Sequence, residues 1–212
     1  MISCPLCKEP ETSFVLSDAI HTYYECPECR IVFADPGGFL KPADEKSRYD
    51  THQNDPGDNG YLKFLNQLAI PVQNHLRTGA VGLDYGSGPG PAMDLLFKKG
   101  GWEMENYDPF YDKRPELLSK TYDFITCSET AEHFYHPIRE FTNLWSMLRP
   151  GGILGIMTLM LTETVDFESW HYRRDDTHVV FYRPESFIWL AGLFGAACEI
   201  HSDRVILLKK PG

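Results

Sequence analysis

Several features that mark whole classes of protein are missing from this sequence. The 212 residues hold 20 basic against 30 acidic side chains, a formal net charge of -10, which disfavours a large nucleic-acid interface but leaves a local basic patch open. The longest apolar run, residues 153–161, is too short to cross a bilayer. The start of the chain has neither a basic stretch nor an apolar leader. We therefore expect a cytoplasmic protein with no membrane partner, whose oligomeric state stays open.

Internal repeats and low-complexity segments are also missing, and composition instead divides the chain into three regions. Residues 1–35 carry four of the six cysteines, residues 36–60 are rich in proline, glycine and aspartate, and residues 61–212 alternate between strand-like and helix-like runs. The middle region favours turns and has little apolar surface to bury. We predict a small zinc-ribbon module, a connector that is a candidate cofactor lid, and one full-size domain, in that order.

The alternation after residue 60 predicts an α/β domain. Apolar residues recur at helical spacing from Tyr61, and Pro71 is expected to break or kink that helix before a second segment reaches Gly79. The elements expected downstream are strands at 80–84, 105–108, 124–128 and 152–158, helices at 91–99, 137–148 and 184–193, and a final hairpin of 197–201 and 205–209. This order predicts a doubly wound, mostly parallel sheet with an antiparallel C-terminal strand.

Four cysteines form two Cys-x-x-Cys pairs separated by eighteen residues: Cys4 and Cys7, then Cys26 and Cys29. This spacing is typical of two knuckles that supply four thiolates to one tetrahedral zinc ion. A redox role is disfavoured, because two such pairs occur and neither opens a predicted helix. The apolar stretches between the pairs predict a hairpin too small to fold without metal, so we expect the zinc to be structural. Cys127 and Cys198 lie in apolar strands and are expected to be core residues.

A glycine-rich turn at 86–90, Gly-Ser-Gly-Pro-Gly, follows the first predicted strand of the α/β domain. Its glycines let the backbone turn sharply and approach a ligand, as in many nucleotide sites. Asp84 discriminates between cofactors, because a carboxylate here disfavours a pyrophosphate and favours the cationic amino group of S-adenosylmethionine. Asp108, at the end of the next strand, is suited to accept hydrogen bonds from ribose hydroxyls, a role that NAD sites share. A tight turn with a capping aspartate is the alternative.

This turn is the first of four motifs, at 83–90, 107–110, 122–129 and 148–152, by which residues 61–212 resemble the class I, Rossmann-like, S-adenosylmethionine-dependent methyltransferases. The resemblance implies a set of cofactor-binding residues: Asp84, Tyr85, Gly86, Ser87, Gly88, Asp108, Pro109, Ser128 and Glu129. For Glu129, the alternative is a surface glutamate that follows the strand and has no role in cofactor binding. Only fourteen residues separate Asp108 from Asp123, so the family's third strand, with its acidic residue near the adenine, is expected to be short or missing.

Candidate catalytic and acceptor-binding residues follow two later strands. Glu132-His133 resembles the Glu-His pair of many relatives, which makes His133 a candidate general base, with a positioning or helix-start role as the alternative. Residues 170–178 are dense in functional groups, and the candidates there are His171, Tyr172, Arg173 and Arg174 for the acceptor and His178 as a second base. A solvated loop whose arginines pair with neighbouring aspartates is the alternative. His52 and Tyr61 are candidates for closing over the cofactor.

Together these patterns predict transfer of a methyl group from S-adenosylmethionine to an oxygen, nitrogen or carbon atom of a small molecule. The arrangement of a zinc ribbon ahead of such a domain is similar to that of sugar C-methyltransferases and of a ribosomal RNA guanine methyltransferase. The acidic net charge favours a small-molecule acceptor, and an RNA methyltransferase is the alternative. A zinc-ribbon module that docks on RNA or protein and keeps the domain as a scaffold is a second alternative. An NAD-dependent oxidoreductase is a third, which Asp84 disfavours.

Overall fold

The computed structural model describes residues 2–51 and 54–212, which form ten β-strands and five α-helices. The strands are β1 (Ser13–Ser17), β2 (Thr22–Glu25), β3 (Val32–Ala34), β4 (Val81–Tyr85), β5 (Glu103–Tyr107), β6 (Tyr122–Ser128), β7 (Leu148–Met157), β8 (Val180–Phe181), β9 (Ala197–Ile200) and β10 (Val205–Lys209). The helices are α1 (Pro42–Tyr49), α2 (Asn59–Gln73), α3 (Met93–Lys99), α4 (Pro137–Met147) and α5 (Pro184–Phe194). None of the described helices is long and apolar enough to cross a membrane.

The larger sheet contains six strands in the order β5-β4-β6-β7-β10-β9. The first four are parallel, whereas β10 runs antiparallel to both β7 and β9. The predicted α/β fold, mostly parallel with an antiparallel C-terminal strand, is confirmed. Because the parallel strands share one direction, their carboxyl ends, which carry Asp84, Asp108 and Ser128, lie at the same edge of the sheet.

The sheet ends at β5, where the resemblance led us to expect a short or missing strand. Within the described residues between Asp108 and Asp123, the chain forms a 3-10 helix at Pro115–Ser119 and no strand. Lys120 and Tyr122 bond the side chain of Glu105 across this connection, at 2.8 and 3.1 Å. The expectation is therefore confirmed, and β5 is the edge of the sheet.

Helix α2 passes through Pro71, so the predicted break there is wrong. The helix starts at Asp58, whose carboxylate accepts the N–H groups of Gly60 and Tyr61, and it ends two residues after the proline. A proline this close to the end leaves only one carbonyl without its helical partner. Burial of Val72 on the following position offsets that loss, because glycine at position 155 of β7 lets α2 pack close: a Cβ there would lie 2.6 Å from Val72 Cγ2.

The smaller sheet has the order β1-β2-β3-β8 and joins the N-terminal strands to residues 180–181. β1 and β2 form the predicted hairpin, and β3 then pairs with β8, with Val32 opposite Phe181. The fully buried Tyr23 packs edge-on against Phe167 and Phe181, at ring distances of 5.3 and 6.0 Å. The cysteine-bearing segment 2–34, which we call the ribbon, therefore shares a sheet and a core with the later part of the chain.

Part of the predicted connector is helical. α1 covers Pro42–Tyr49, where we expected turns. Its sequence has no apolar stripe to reveal it, and the helix is held by a polar contact, the hydroxyl of Tyr49 donating to Glu45 Oε1 at 2.8 Å. The helix packs Tyr49 edge-on against His133 at 5.2 Å, which brings the connector against the α/β domain.

Candidate functional site

A cleft of about 1140 Å³ opens at the carboxyl ends of β4, β5 and β6. Each residue that the sequence assigned to the cofactor lines it: Asp84, Tyr85, Gly86, Ser87, Gly88, Asp108, Pro109, Ser128 and Glu129. Both candidate bases, His133 and His178, line the same cleft, as does Tyr61. His52 lies outside the described residues. The fold thus gathers groups from strands that are well separated in sequence around one cavity.

The glycine turn takes a conformation that only glycine adopts readily. Gly86 and Gly88 have φ angles of 80° and 67°, and a Cβ on Gly86 would overlap the side chain of Thr130. The N–H of Gly86 donates to Tyr107 O at 2.8 Å, and that of Gly88 to Asp108 Oδ2 at 2.9 Å. The turn is therefore fastened to the end of β5 and leaves its outer backbone facing the cleft.

Asp84 is a buried carboxyl group on the wall of the cleft. It lies opposite Thr126 in the β4–β6 register, and the Thr126 hydroxyl donates to Asp84 Oδ1 at 2.6 Å. Burial, with smaller repulsion from Asp94 and Asp108, raises the pKa of Asp84 to about 7. A buried carboxylate without a cation is unfavourable, so a ligand with a positive group would be stabilised here.

Asp108 is held by three backbone N–H groups. Its Oδ1 accepts from Phe110 and Tyr111 at 2.8 and 3.0 Å, and its Oδ2 accepts from Gly88. An ionised carboxylate offers about four lone-pair sites, so acceptor capacity remains for hydroxyl groups of a ligand. Asp108 both fixes the turn and presents an acceptor beside it.

The two candidate bases lie next to each other, with ring centroids 4.8 Å apart. His133 Nδ1 bonds Thr177 O at 3.0 Å and His178 Nδ1 bonds Tyr172 O at 2.7 Å. A carbonyl oxygen only accepts, so each Nδ1 carries the proton and each Nε2 of the neutral ring keeps its lone pair. Burial lowers the pKa of His133, which keeps that ring neutral near pH 7.

The four predicted acceptor residues do not line the cleft within the described part of the chain: His171, Tyr172, Arg173 and Arg174. His171 and Arg174 are exposed, and the buried Tyr172 reaches the cleft through hydrogen bonds from its hydroxyl to Glu132 and Glu129. Arg173 forms an ion pair with Asp18 of the ribbon and donates to Phe167 O at 3.0 Å. Arg173, a candidate for the acceptor, therefore joins the ribbon to the loop in this structure.

Replacing Arg173 with alanine is expected to destabilise the protein by about 2 kcal/mol or more, measured by denaturant unfolding. The change leaves Asp18 without its partner, and the 29% exposure of the Asp18 side chain reduces the loss below that for a fully buried pair. The matched control is the exposed neighbour Arg174, whose alanine variant should stay within about 0.5 kcal/mol of wild type. Equal stabilities for the two variants would contradict this role.

Sequence reasoning missed part of the cleft wall. Glu45 and Tyr49 of α1, Phe64 of α2 and Asn54 all line it. Asn54 lies against the glycine turn so closely that a Cβ on Gly90 would overlap its carbonyl oxygen. The only signal was the turn-rich composition that suggested a lid, and it did not identify which residues face the cavity.

The four ribbon cysteines converge as the spacing predicted. The Sγ atoms of Cys4 and Cys29 lie 3.5 Å apart and those of Cys7 and Cys26 3.3 Å apart, and all four lie within 4.8 Å of one another. Zinc–sulfur bonds of about 2.3 Å place tetrahedral sulfurs about 3.8 Å apart, so the set fits a zinc ion. The residue after each pair, Lys8 and Arg30, has a φ of 67° and 63°. Cys127 is buried and Cys198 half-buried, away from this group.

Comparison with known proteins identifies the domain. A family model described as a methyltransferase domain matches residues 53–199. The chain belongs to this methyltransferase-domain family. Ubiquinone biosynthesis O-methyltransferases from two strains of Aliivibrio fischeri are 32% and 30% identical to this family member over 92 residues. Each match covers 42% of the chain and 39% of the relative, so the chain spans about two fifths of the length of the curated relatives it matches.

Solved structures of methyltransferases share the fold. The Burkholderia thailandensis 1,6-didemethyltoxoflavin-N1-methyltransferase, with bound 1,6-didemethyltoxoflavin and S-adenosylhomocysteine, has a TM-score of 0.55 at 12% identity, over 94% of this chain and 100% of that chain. A structure described as a sarcosine dimethylglycine methyltransferase from Galdieria sulphuraria has a TM-score of 0.55 at 21% identity, over 74% of each chain. Membership of the methyltransferase-domain family implies S-adenosylmethionine as the cofactor.

Proposed function

We propose that the chain transfers the methyl group of S-adenosylmethionine to a small-molecule acceptor. The observation that carries the proposal is the buried carboxyl group of Asp84 beside the glycine turn, in a domain of the methyltransferase family. A carboxylate in this position suits the cationic amino group of the cofactor and would repel the pyrophosphate of a dinucleotide.

The residues around the turn have distinct roles in holding the cofactor. Asp84 would meet the amino group, Asp108 would accept ribose hydroxyls, and the backbone at Gly86 and Gly88 would allow close approach. When bound, S-adenosylmethionine supplies a methyl group on a positively charged sulfur. The protein then has to align the acceptor, exclude water and remove a proton where the acceptor carries one.

The acceptor is expected beside His133 and His178. When the cofactor gives up its methyl group to the acceptor atom, the Nε2 lone pair of one histidine would take the acceptor proton. Cofactor and acceptor share one cavity of about 1140 Å³, which suits a small molecule. The small heterocycle named in the Burkholderia structure supports the same class of acceptor.

The ribbon is proposed to hold one structural zinc ion through Cys4, Cys7, Cys26 and Cys29. Four protein thiolates complete a tetrahedral shell and leave no position for substrate or water, which is the pattern of structural sites. The position of the ribbon against the loop at 167–181 gives this zinc a role in the shape of the domain and none in the chemistry.

Two measurements test the proposed function. Calorimetry should show binding of S-adenosylhomocysteine and none of NAD. Incubation of the protein and labelled S-adenosylmethionine with a cell extract, followed by separation of metabolites, RNA and protein, should then place the methyl label among the metabolites. Label found in RNA, and removed by ribonuclease, would instead support an RNA methyltransferase. Failure to bind the adenosyl ligand would support a scaffold or binding module.

A further inference from the structure

Three metal-ligating side chains converge on the wall of the cleft. One ligand atom from each of Glu132, His133 and His178 lies within 4.8 Å of the others. The first two belong to a 3-10 helix at Ala131–His133, and His178 comes from the loop before β8, so only the folded chain brings them together. Two imidazoles and a carboxylate are a ligand set that divalent iron, zinc and cobalt accept. We propose that this group, the cleft triad, binds a divalent transition-metal ion, separately from the ribbon zinc.

Both histidines make the outer hydrogen bond that is typical of metal-binding histidines. Each Nδ1–H donates to a backbone carbonyl, of Thr177 for His133 and of Tyr172 for His178. Histidines that bind metals almost always donate their second nitrogen in this way, because the bond fixes the tautomer and makes the ligating nitrogen more basic. These two bonds occupy both Nδ1 atoms and leave the Nε2 atoms as the nitrogens available to a cation.

Glu132 supplies an independent observation that points to a cation site. Its side chain is fully buried, and Oε1 accepts the hydroxyl of Tyr172. Oε2 is buried too and has no hydrogen-bond partner among the described residues. An unpaired buried carboxylate oxygen is costly, and a metal ion between it and the two imidazoles would remove that cost.

Three protein ligands would leave coordination positions open toward the cleft, as in catalytic metal sites. This consequence rests on the proposed function: an acceptor hydroxyl next to the ion would lose its proton to water more readily, because the positive charge stabilises the oxyanion. The imidazole lone pairs would then bind the ion in place of the acceptor proton. The proposal therefore favours an acceptor that is methylated at, or beside, a hydroxyl group.

The test is a titration with Co²⁺ of protein that carries one zinc ion per chain, in the ribbon, followed by absorption spectroscopy. We expect one further Co²⁺ per chain, with the weak bands of nitrogen and oxygen ligation and without the intense charge-transfer bands of cobalt bound to thiolates. His178→Asn and Glu132→Gln should each weaken this binding more than about 10-fold, since losing even an outer partner of a ligand costs 10- to 100-fold.

The matched control is His75→Asn, in an exposed group with Glu199 and His201 that also gathers three possible ligand atoms. Its Co²⁺ affinity should equal that of wild type. The proposal would be overturned if no Co²⁺ bound beside the ribbon zinc. It would also be overturned if His75→Asn lost the bound Co²⁺ while both triad variants kept it. Calorimetry with S-adenosylhomocysteine on each variant shows that the fold is retained. Because that measurement uses no added metal, failure of the cofactor site and failure of the cleft triad are distinguishable.

Discussion

Asp84→Asn is expected to weaken binding of S-adenosylmethionine and S-adenosylhomocysteine by about 100-fold in calorimetry, the effect of removing one partner of a buried charged pair. Asparagine keeps the size of the side chain, so it can still accept the Thr126 hydroxyl. What it loses is the negative charge that would face the cofactor's amino group. Unchanged affinity would show that the amino group binds elsewhere.

The same carboxyl group should make cofactor affinity depend on pH. Because burial raises the pKa of Asp84 to about 7, a cation must displace its proton at lower pH, and affinity should rise from pH 5 to about pH 7 and then level off. A carboxyl group whose pKa is raised by folding stabilises the folded state at pH values below its ordinary pKa of about 4. This stabilisation is lost as the pH rises through 7. The unliganded Asn variant should therefore be at least as stable as wild type above pH 7, with an affinity that no longer changes with pH.

Asp123→Asn is the control for both measurements. Asp123 lies at the other end of β6, where Arg149 and Arg77 bond it at 2.7 and 3.1 Å. Its ion pairs and the N–H of Val81 lower its pKa, although burial acts in the opposite direction. This variant should lose stability and keep its cofactor affinity. A similar fall in affinity for both variants would point to general destabilisation instead of a contact made by Asp84.

Cys26→Ser is expected to abolish zinc binding by the ribbon and to unfold it, with zinc per chain falling by one in elemental analysis. The expected effect is large, because structural zinc in small modules contributes about 10 kcal/mol or more of apparent binding free energy. The ribbon's own hairpin is too short to be stable without it. A wild-type protein that is folded and carries no zinc would contradict the assignment of the four cysteines as zinc ligands.

The loss of ribbon structure should also destabilise the loop at residues 167–181, which contacts the ribbon. β3 pairs with β8, and Asp18 pairs with Arg173, so hydrogen exchange should accelerate at residues 167–181 as well as at 13–34. Exchange on β4 and β6, in the other sheet, should change little. Cys198→Ser is the matched control, because Cys198 is a half-buried cysteine on β9 outside the metal group, and its exchange pattern should match wild type.

Local sequence patterns predicted much of the fold. The strands and helices after residue 80 follow from apolar runs, prolines at helix starts and glycines at their ends, all of which act over a few residues. Pro71 and α1 show the limit of such patterns. At Pro71, burial of Val72 against β7 outweighed a local preference. Helix α1 has no apolar stripe, and its Tyr49 bonds Glu45 and packs against His133.

Long-range contacts could not be predicted from spacing. Asp18 and Arg173 are 155 positions apart, and no periodicity connects them, so the sequence offered Arg173 as a candidate for the acceptor or as a partner of nearby aspartates. The same holds for the cleft triad, whose Glu132 and His178 lie on segments joined by a hydrogen bond from Val179 N–H to Glu132 O at 2.9 Å. The cofactor residues were easier to find, since they follow the ends of successive parallel strands.

The pairing of β3 with β8 has a consequence for how the chain is made. On the ribosome, β1, β2 and β3 emerge early, whereas β8 emerges only after most of the larger sheet has been synthesised. Until then the outer side of β3 is an unpaired edge of apolar residues, which can pair with other nascent chains. Early capture of a metal ion would fix the first three strands during this interval. Metal starvation of the cell should therefore produce aggregates of newly made chains before it affects the finished protein.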